Sequence, residues 1–104
     1  MIKVSIITVN YNGFSDTCEL IESLRTHETF PYELIVVDNG STLDEAVLLK
    51  EKYPEIVTIR SHRNLGFAGG NNLGVRQAKG EFLFFLNNDT YVEGPVLDVL
   101  TRRL

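Results

Sequence analysis

The sequence predicts an α/β fold in which a parallel β-sheet carries helices on both faces. Two observations predict it. Four short, strongly apolar segments alternate with stretches whose apolar residues recur at helical spacing. Each helical stretch that joins two of these segments is long enough to serve as the crossover that parallel strands require. At 104 residues, of which 43% are hydrophobic and 23% charged, the chain has the size and composition of one globular domain.

The four apolar segments are predicted to be strands that are covered on both faces. They occupy residues 2–9, 33–37, 56–59 and 81–86. Their apolar character is nearly continuous rather than alternating, which is typical of strands in a parallel sheet. The first, second and fourth strands each run into a cluster of Asn, Asp or Gly, and these clusters predict where the strands end.

Local signals predict the helices between the strands. Asp16 with Glu19 and Thr42 with Glu45 have the spacing of capping boxes at the starts of the first two helices. A loop rich in Gly and Asn over residues 66–78 runs into a third helix, which the following glycine closes.

Pro95 is predicted to be the first residue of a fourth helix. The order is therefore β-α-β-α-β-α-β-α, and right-handed crossovers make it a Rossmann-like half-sheet. No internal repeat or linker divides residues 1–104, so one domain is predicted.

Charge and cysteine content exclude several classes of function. Ten Lys and Arg against fourteen Asp and Glu give a net charge of −4, which argues against sequence-independent nucleic-acid binding. The single cysteine, Cys18, excludes an intramolecular disulfide framework and predicts a reducing, cytoplasmic location. The longest apolar run, residues 82–86, is far shorter than the ~20 residues of a spanning helix, so no transmembrane segment is expected.

Polar groups at the predicted strand ends indicate a ligand site. In an open parallel sheet, ligands bind beyond the carboxyl ends of the strands, where the strand order reverses. The clusters at residues 10–12, 38–39 and 87–89 all fall there, and residues 64–72 follow the third strand. Amides, carboxylates and bare backbone suit a base edge, ribose hydroxyls, a diphosphate and a hard metal ion.

Ordinary turn chemistry explains a single Asn-Gly turn equally well, because Asn, Asp and Gly tolerate left-handed backbone. Turn chemistry explains two clusters less well: the glycine-rich segment after residue 65 and the Asn-Asn-Asp segment at residues 87–89. Glycines at a helix start cost stability and indicate that a ligand or neighbouring backbone approaches closely. Asp89 is a carboxylate in a fixed place, as a metal ion on a diphosphate requires. A dinucleotide-binding loop and a P-loop are excluded, since Gly13 is the only glycine directly after the first strand.

Four segments carry a family resemblance: residues 4–12 (VSIITVNYN), 35–41 (IVVDNGS), 64–74 (NLGFAGGNNLG) and 85–89 (FLNND). In order and spacing they resemble the family 2 glycosyltransferases of GT-A fold, and most closely a rhamnosyltransferase-like branch. The resemblance implies an inverting transfer of a sugar from a nucleotide-diphosphate donor of dTDP or UDP type. It implies a saccharide acceptor in cell-surface polysaccharide synthesis, and it makes this chain the N-terminal, donor-binding half of the fold.

The resemblance also implies roles for individual residues. Asp38 would accept a hydrogen bond from the pyrimidine N–H, and Asp89 would hold Mg²⁺ or Mn²⁺ against the diphosphate. Asn87 replaces the first acid of the family's Asp-x-Asp motif, which leaves Asp89 as the carboxylate ligand. The implied substrate-binding residues are Thr8, Asn10, Asn12, Asp38, Asn64, Gly69, Asn71 and Asn88.

No catalytic residue is assigned within the chain, because the resemblance implies a general base downstream of it. Without a downstream half, the last strand would lose cover and the chain would self-associate. The full enzyme would associate peripherally with the inner face of the membrane. The alternative is a non-catalytic nucleotide-sugar-binding module or an inactive partner subunit. For Arg60, His62 and Arg63 a solvated surface cluster is favoured over an approach to a phosphate. Tyr11 and Phe67 either stack on a base or pack near the sheet edge.

Overall fold

The computed structural model describes residues 3–102, and its four strands form one parallel sheet in the order β3-β2-β1-β4. The elements are β1 (Val4–Asn10), α1 (Phe14–His27), β2 (Tyr32–Asn39), α2 (Glu45–Lys52), β3 (Val57–Ser61), α3 (Gly66–Gln77), β4 (Phe82–Phe85) and α4 (Leu97–Arg102). The predicted fold class is confirmed. Within residues 3–102, none of the helices combines the length and the hydropathy that a membrane span needs.

The helices cover both faces of this sheet. Residues of α1, α2 and α4 pack with Val4 and Ile6 of β1 on one face. On the other face, α3 packs through Leu73 against Ile7 and Ile35. The chain steps from β1 to β2 to β3 in one direction, and β4 lies on the opposite side of β1. The strand order therefore reverses between β1 and β4, where a doubly wound sheet opens its ligand crevice.

The larger core lies under α1 and α2. Its fully buried aliphatic side chains include Ile6 of β1, Leu20 and Leu24 of α1, and Leu49 of α2. Burying each such side chain contributes roughly 1.5–3 kcal/mol. Cys18 is also buried in this core, as expected for a small apolar residue. This core fixes β1 and α1 relative to each other, and both carry residues of the site described below.

The helix starts differ from the two predicted capping boxes, which are wrong. α1 begins at Phe14 without a side-chain cap, so Asp16 lies inside its first turn, where a negative charge is favourable. α2 is capped by Asp44, whose carboxylate accepts the N–H of Val47 at 3.1 Å. Glu45, predicted as the third residue of the box, is instead the first residue of the helix. Asp44 is the N-cap instead of Thr42, because Asp and Thr are both favourable N-cap residues and lie close together in this segment.

The glycine-rich segment is part of α3 rather than a loop before it. Gly66 starts the helix with φ +78°, and Gly70 and Gly74 face the sheet. A Cβ on Gly74 would lie 2.5 Å from Cγ2 of Ile7, and a Cβ on Gly70 would lie 3.0 Å from Cγ1 of Val9. The close approach that these glycines indicated is therefore the approach of a helix to the sheet.

α4 begins at Leu97, two residues after the predicted start at Pro95. Glu28, the residue after α1, caps it from a distant part of the chain. Its Oε2 accepts the N–H of Val96 at 3.1 Å and that of Leu97 at 3.4 Å. The chain after β4 is thus fixed to the end of α1.

Candidate functional site

The carboxyl ends of the strands form one edge of the sheet, which we call the polar rim (residues 10–13, 38–45, 60–72 and 87–90). All three predicted polar clusters and the segment after β3 lie on it. The rim is built on a buried framework of hydrogen bonds. Its exposed groups lie above that framework.

Asn10, Asp38 and Arg60 are neighbours across three strands. The parallel register pairs Asn10 of β1 with Asp38 of β2, and Asp38 with Arg60 of β3. Asn10 Nδ2 lies 3.3 Å from Asp38 Oδ1, and Arg60 Nη1 lies 2.6 Å from Asp38 Oδ2. We call these three residues the buried row. It ties the ends of the strands together beneath the rim.

Asp38 is completely buried, and both of its oxygens are occupied. Besides Asn10 and Arg60, its donors are the hydroxyl of Ser41 and the N–H groups of Glu45 and Ala46. The two N–H groups belong to the first turn of α2, where a carboxylate is electrostatically favoured. The predicted contact between Asp38 and a pyrimidine N–H requires a free carboxylate oxygen, and this arrangement leaves none. That contact stays a prediction.

Arg60 does not belong to a solvated surface cluster, contrary to expectation. Its side chain is 23% exposed, and it donates to the carbonyl oxygens of Ser41 at 3.1 Å and Leu43 at 3.0 Å as well as to Asp38. His62 and Arg63 are exposed, as expected. The sequence did not predict the pairing of Arg60 with Asp38, because no local pattern indicates that β3 lies beside β2 in this register.

A second buried group, Thr17 of α1, joins β1 to the segment after β4. Its hydroxyl donates to Asn10 Oδ1 at 2.7 Å and accepts from Asn88 Nδ2 at 3.2 Å. Asn10 Nδ2 in turn donates to Glu45 Oε1 at 2.9 Å. Nothing in the sequence distinguishes Thr17 from a helix-surface threonine, so sequence reasoning missed it and Glu45 as well.

The loops of the rim are also connected to one another. Asn12 adopts φ +49°, a conformation that Asn tolerates, and its N–H donates to Ser41 Oγ at 2.8 Å. Its Oδ1 accepts the N–H of Thr42 at 2.8 Å. The first two loops of the rim are therefore held to each other by Asn12.

The second and third loops meet at Asn39 and Gly40. Asn39 accepts the N–H of Leu65 at 2.9 Å and donates to Asn64 Oδ1 at 3.2 Å. Gly40 has φ +81°, and a Cβ there would lie 2.5 Å from the carbonyl carbon of Arg63. Only glycine allows both the backbone conformation and this contact.

Strand geometry separates the predicted site residues into buried and exposed groups. Side chains alternate along β1, so Thr8 and Asn10 share the face that α1 covers and are fully buried. Within residues 3–102, the hydroxyl of Thr8 has no hydrogen-bond partner. Of the others, Asp38 and Asn71 are buried, Gly69 and Asn88 are half-buried, and Asn12, Asn64 and Asp89 are exposed.

Two aromatic side chains are exposed on the rim. Tyr11, after β1, is 52% exposed, and Phe67, in the first turn of α3, is 65% exposed. Neither packs into a core, so both rings are accessible to a planar ligand. Of the two histidines, His27 lies away from the rim, 6.4 Å from the ring of Tyr91.

Asp89 is an exposed carboxylate in the turn that follows β4. It lies in a turn that is closed by the N–H of Thr90 donating to the carbonyl of Asn87 at 3.0 Å. Over the part of the chain that the structure describes, no three His, Cys, Asp or Glu side chains cluster as a ready-made metal site. One exposed carboxylate fits Mg²⁺ or Mn²⁺ when phosphate oxygens and waters supply the other ligands. The residues present therefore fit a metal that arrives with a diphosphate.

A groove of about 590 Å³ lies beside β4 and meets the rim at Thr90. Its lining is mostly apolar and comes from β4, from the segment between β4 and α4, and from α4, with one residue each from β1 and α1. Leu83 and Phe85 of β4 are 38% and 49% exposed. This groove lacks the charged and amide groups that a diphosphate needs, and we do not assign the donor to it.

Comparisons with known proteins show which family the chain resembles. The model of the family described as "Glycosyl transferase family 2" matches residues 5–104. The glycosyltransferase YwdF of Bacillus subtilis is 34% identical over 91 residues, which cover 86% of this chain and 33% of YwdF. TarS of Staphylococcus aureus, a poly(ribitol-phosphate) β-N-acetylglucosaminyltransferase, is 33% identical over 104 residues, which cover 93% of this chain and 18% of TarS.

Solved structures share the fold. TarS 1–349 in complex with UDP-GlcNAc matches 97% of this chain with a TM-score of 0.84 and 30% identity, over 30% of its own length. A Pyrobaculum calidifontis mannosyltransferase in complex with GDP-Man and Mn²⁺ matches 90% with a TM-score of 0.79 and 22% identity, over 29% of its length. The chain therefore spans about a third or less of each of these proteins.

Proposed function

The chain belongs to glycosyl transferase family 2, and from this membership we propose that it binds the nucleotide-diphosphate sugar donor of an inverting sugar transfer. The observation that carries the proposal is the position of Asp89. It is exposed after β4, beside the point where the strand order reverses between β1 and β4. The crystal structure of TarS with UDP-GlcNAc, a protein of the same fold, supports a donor of this class.

Within this proposal the exposed groups of the rim contact the donor. Tyr11 and Phe67 offer ring faces to the base, and Asn12 and Asn64 offer amides to the base and ribose. Gly69, Asn71 and Asn88 border the diphosphate and sugar. We propose a pyrimidine donor, of UDP or dTDP type, and a cell-surface polysaccharide as the acceptor.

The metal belongs to the same proposal. Asp89 holds Mg²⁺ or Mn²⁺ on the diphosphate, where the ion neutralises the charge that develops on the leaving group. This carboxylate is exposed, in a turn closed by the N–H of Thr90 donating to the carbonyl of Asn87. The fully buried residues Asn10 and Asp38 act beneath the rim by holding its loops.

Titration calorimetry tests this function directly. UDP, dTDP and GDP are titrated into the chain with and without Mn²⁺. We expect UDP and dTDP to bind more tightly than GDP, and Mn²⁺ to strengthen their binding. In Asp89→Ala the effect of Mn²⁺ disappears, whereas it persists in Asp98→Ala, which removes an exposed carboxylate of α4 that pairs with Arg102.

Two results would contradict the proposal at different levels. If the chain binds none of the three nucleotides, the donor-binding function is wrong. If Asp89→Ala keeps the full effect of Mn²⁺, the metal is held elsewhere. If GDP binds as tightly as UDP, only the proposed pyrimidine preference is wrong.

A further inference from the structure

We infer that Thr17 is a positioning residue, which couples the metal-holding turn after β4 to the buried row. This inference rests on the proposed function, because it concerns how Asp89 is oriented toward the metal. Thr17 is completely buried in the first turn of α1 and cannot touch the donor itself. Its effect on the site is transmitted through Asn88, the residue before Asp89.

The hydroxyl of Thr17 both donates and accepts a hydrogen bond. Its hydrogen is donated to Asn10 Oδ1 at 2.7 Å, and its oxygen accepts from Asn88 Nδ2 at 3.2 Å. A hydroxyl is the smallest side-chain group that can donate and accept at once. Thr17 thus joins β1, α1 and the segment after β4 in one chain of hydrogen bonds that continues to Asp38 and Arg60.

Gly13 supplies an independent observation. A Cβ on Gly13 would lie 2.6 Å from Asn88 Nδ2 and 3.4 Å from Asn10 Oδ1. The backbone of Gly13 has φ −128°, which any residue can adopt, so the conformation does not require glycine there. Glycine is needed at position 13 because the Asn88 amide occupies the space that a Cβ would fill. Gly13 and Thr17, on either side of the start of α1, therefore both allow the Asn88 amide to lie against α1.

The hydrogen bond between Asn88 and Thr17 determines the direction in which the Asp89 side chain points. Asn88 is half-buried with its amide held against Thr17, whereas Asp89 and Asn87 on either side of it are exposed. The turn is closed by Thr90 N–H donating to Asn87 O. With Asn88 fixed inward and the turn closed, the carboxylate of Asp89 is directed outward. Releasing Asn88 would let this turn rotate and weaken its hold on a metal ion.

The test compares Thr17→Val, which keeps the shape and removes the hydroxyl, with Thr17→Ser, which keeps the hydroxyl. For each, the Kd of UDP is measured by calorimetry with and without Mn²⁺. The Kd without Mn²⁺ divided by the Kd with Mn²⁺ reports the metal's contribution. We expect Thr17→Val to lower this ratio about tenfold, as for other residues that orient a metal ligand. Thr17→Ser should retain the parent ratio, and UDP binding without Mn²⁺ should stay within about twofold in both variants.

Gly13→Ala is the second variant, because Thr17→Val leaves buried partners unsatisfied and can unfold the chain. It displaces the Asn88 amide without removing the Thr17 hydroxyl. We expect the same loss of the Mn²⁺ effect, with an otherwise parent-like amide NMR spectrum whose largest changes lie in residues 87–90. An unchanged ratio in Gly13→Ala overturns the inference. Equal losses of UDP affinity with and without Mn²⁺ overturn it too, since they indicate a purely structural role.

These outcomes are separable from a failure of the proposed function. If the parent chain shows no Mn²⁺-dependent binding of UDP, the proposed function fails before any variant is compared. If the parent shows it and Thr17→Val and Gly13→Ala behave like the parent, the role of Thr17 fails alone.

Discussion

The position of Asp38 in the sequence and its environment in the structure indicate different roles. Its place at the end of a buried strand predicts a ligand-facing carboxylate, yet it is completely buried and accepts hydrogen bonds from five donors. An uncompensated buried carboxylate would be very costly, and Arg60 with the first turn of α2 offsets that cost. We therefore propose that Asp38 holds β2, β3 and α2 together beneath the rim.

Asp38→Asn separates this role from a direct contact with the base. The change leaves the partly buried Arg60 with only the exposed Asp44, 3.9 Å from its Nε, as a charge partner. We therefore expect the free energy of unfolding in urea to fall by about 2–3 kcal/mol. Affinities for UDP, dTDP and GDP should fall together. Asp98→Asn, at an exposed position, is the control and should change neither quantity. A selective loss of pyrimidine binding at unchanged stability would support the direct contact instead.

The exposed residues of the rim agree better with expectation. Asn12, Asn64 and Asp89 are accessible, and so are Tyr11 and Phe67. Position after a strand end predicts accessibility for these five residues, but not for Ser41, which lies in the loop after β2 and is buried. It was not enough for Thr8 and Asn10, because residues still within a strand alternate between its two faces and these two lie on the covered one.

Among the elements, α1 and α2 are held together by a buried tyrosine. Tyr53, directly after α2, is 1% exposed, and its hydroxyl donates to Glu22 of α1 at 2.8 Å. Burial, followed by this hydrogen bond, raises the pKa of Tyr53 above its ordinary value near 10. The phenol therefore stays protonated in the folded chain at a pH where it ionises in the unfolded chain.

This shift predicts a loss of stability in alkali. Above about pH 10 the unfolded chain binds fewer protons than the folded one, so the free energy of unfolding falls as pH rises. In urea titrations from about pH 8 to about pH 11, the parent should lose stability more steeply than Tyr53→Phe. Burial also raises the pKa of Tyr32, which both proteins retain, so its contribution cancels. Parallel curves for the two proteins would show that Tyr53 does not contribute.

The helices show what an element's own sequence can determine. Periodicity predicts all four helices, but their starts depend on partners elsewhere. α4 is capped by Glu28 from the end of α1, and α3 begins within the glycine run because Gly70 and Gly74 allow it to lie close to β1. Such partners are distant in sequence, so no local pattern contains them.

At the scale of the whole molecule, β4 combines exposed apolar side chains with an unpaired strand edge. β4 pairs with β1 on one side, and nothing in residues 3–102 pairs with its other side. Leu83 and Phe85 are exposed there, beside the apolar groove. An exposed edge strand offers unpaired backbone groups in addition to apolar side chains.

We therefore predict that two copies of the isolated 104-residue chain associate through β4. Sedimentation velocity at increasing concentration should show a monomer–dimer equilibrium. Leu83→Lys should shift it to the monomer, because a charge on the edge opposes pairing. Val47→Lys, a matched change at an exposed position of α2, should leave it unchanged. A parent chain that stays monomeric at all concentrations would contradict the prediction.

The sequence by itself determined the order of strands and helices, the α/β fold class and the family, because hydrophobic periodicity and motif spacing are local properties of the chain. It also determined that the rim is polar. Only the tertiary structure decided which of those polar residues are buried. The β1–β2–β3 register joins Asn10, Asp38 and Arg60 into a framework, and the packing of α1 adds Thr17 and Asn88. Hydrogen bonds between residues 22 to 71 positions apart depend on the fold, and the neighbours of each residue along the chain do not specify them.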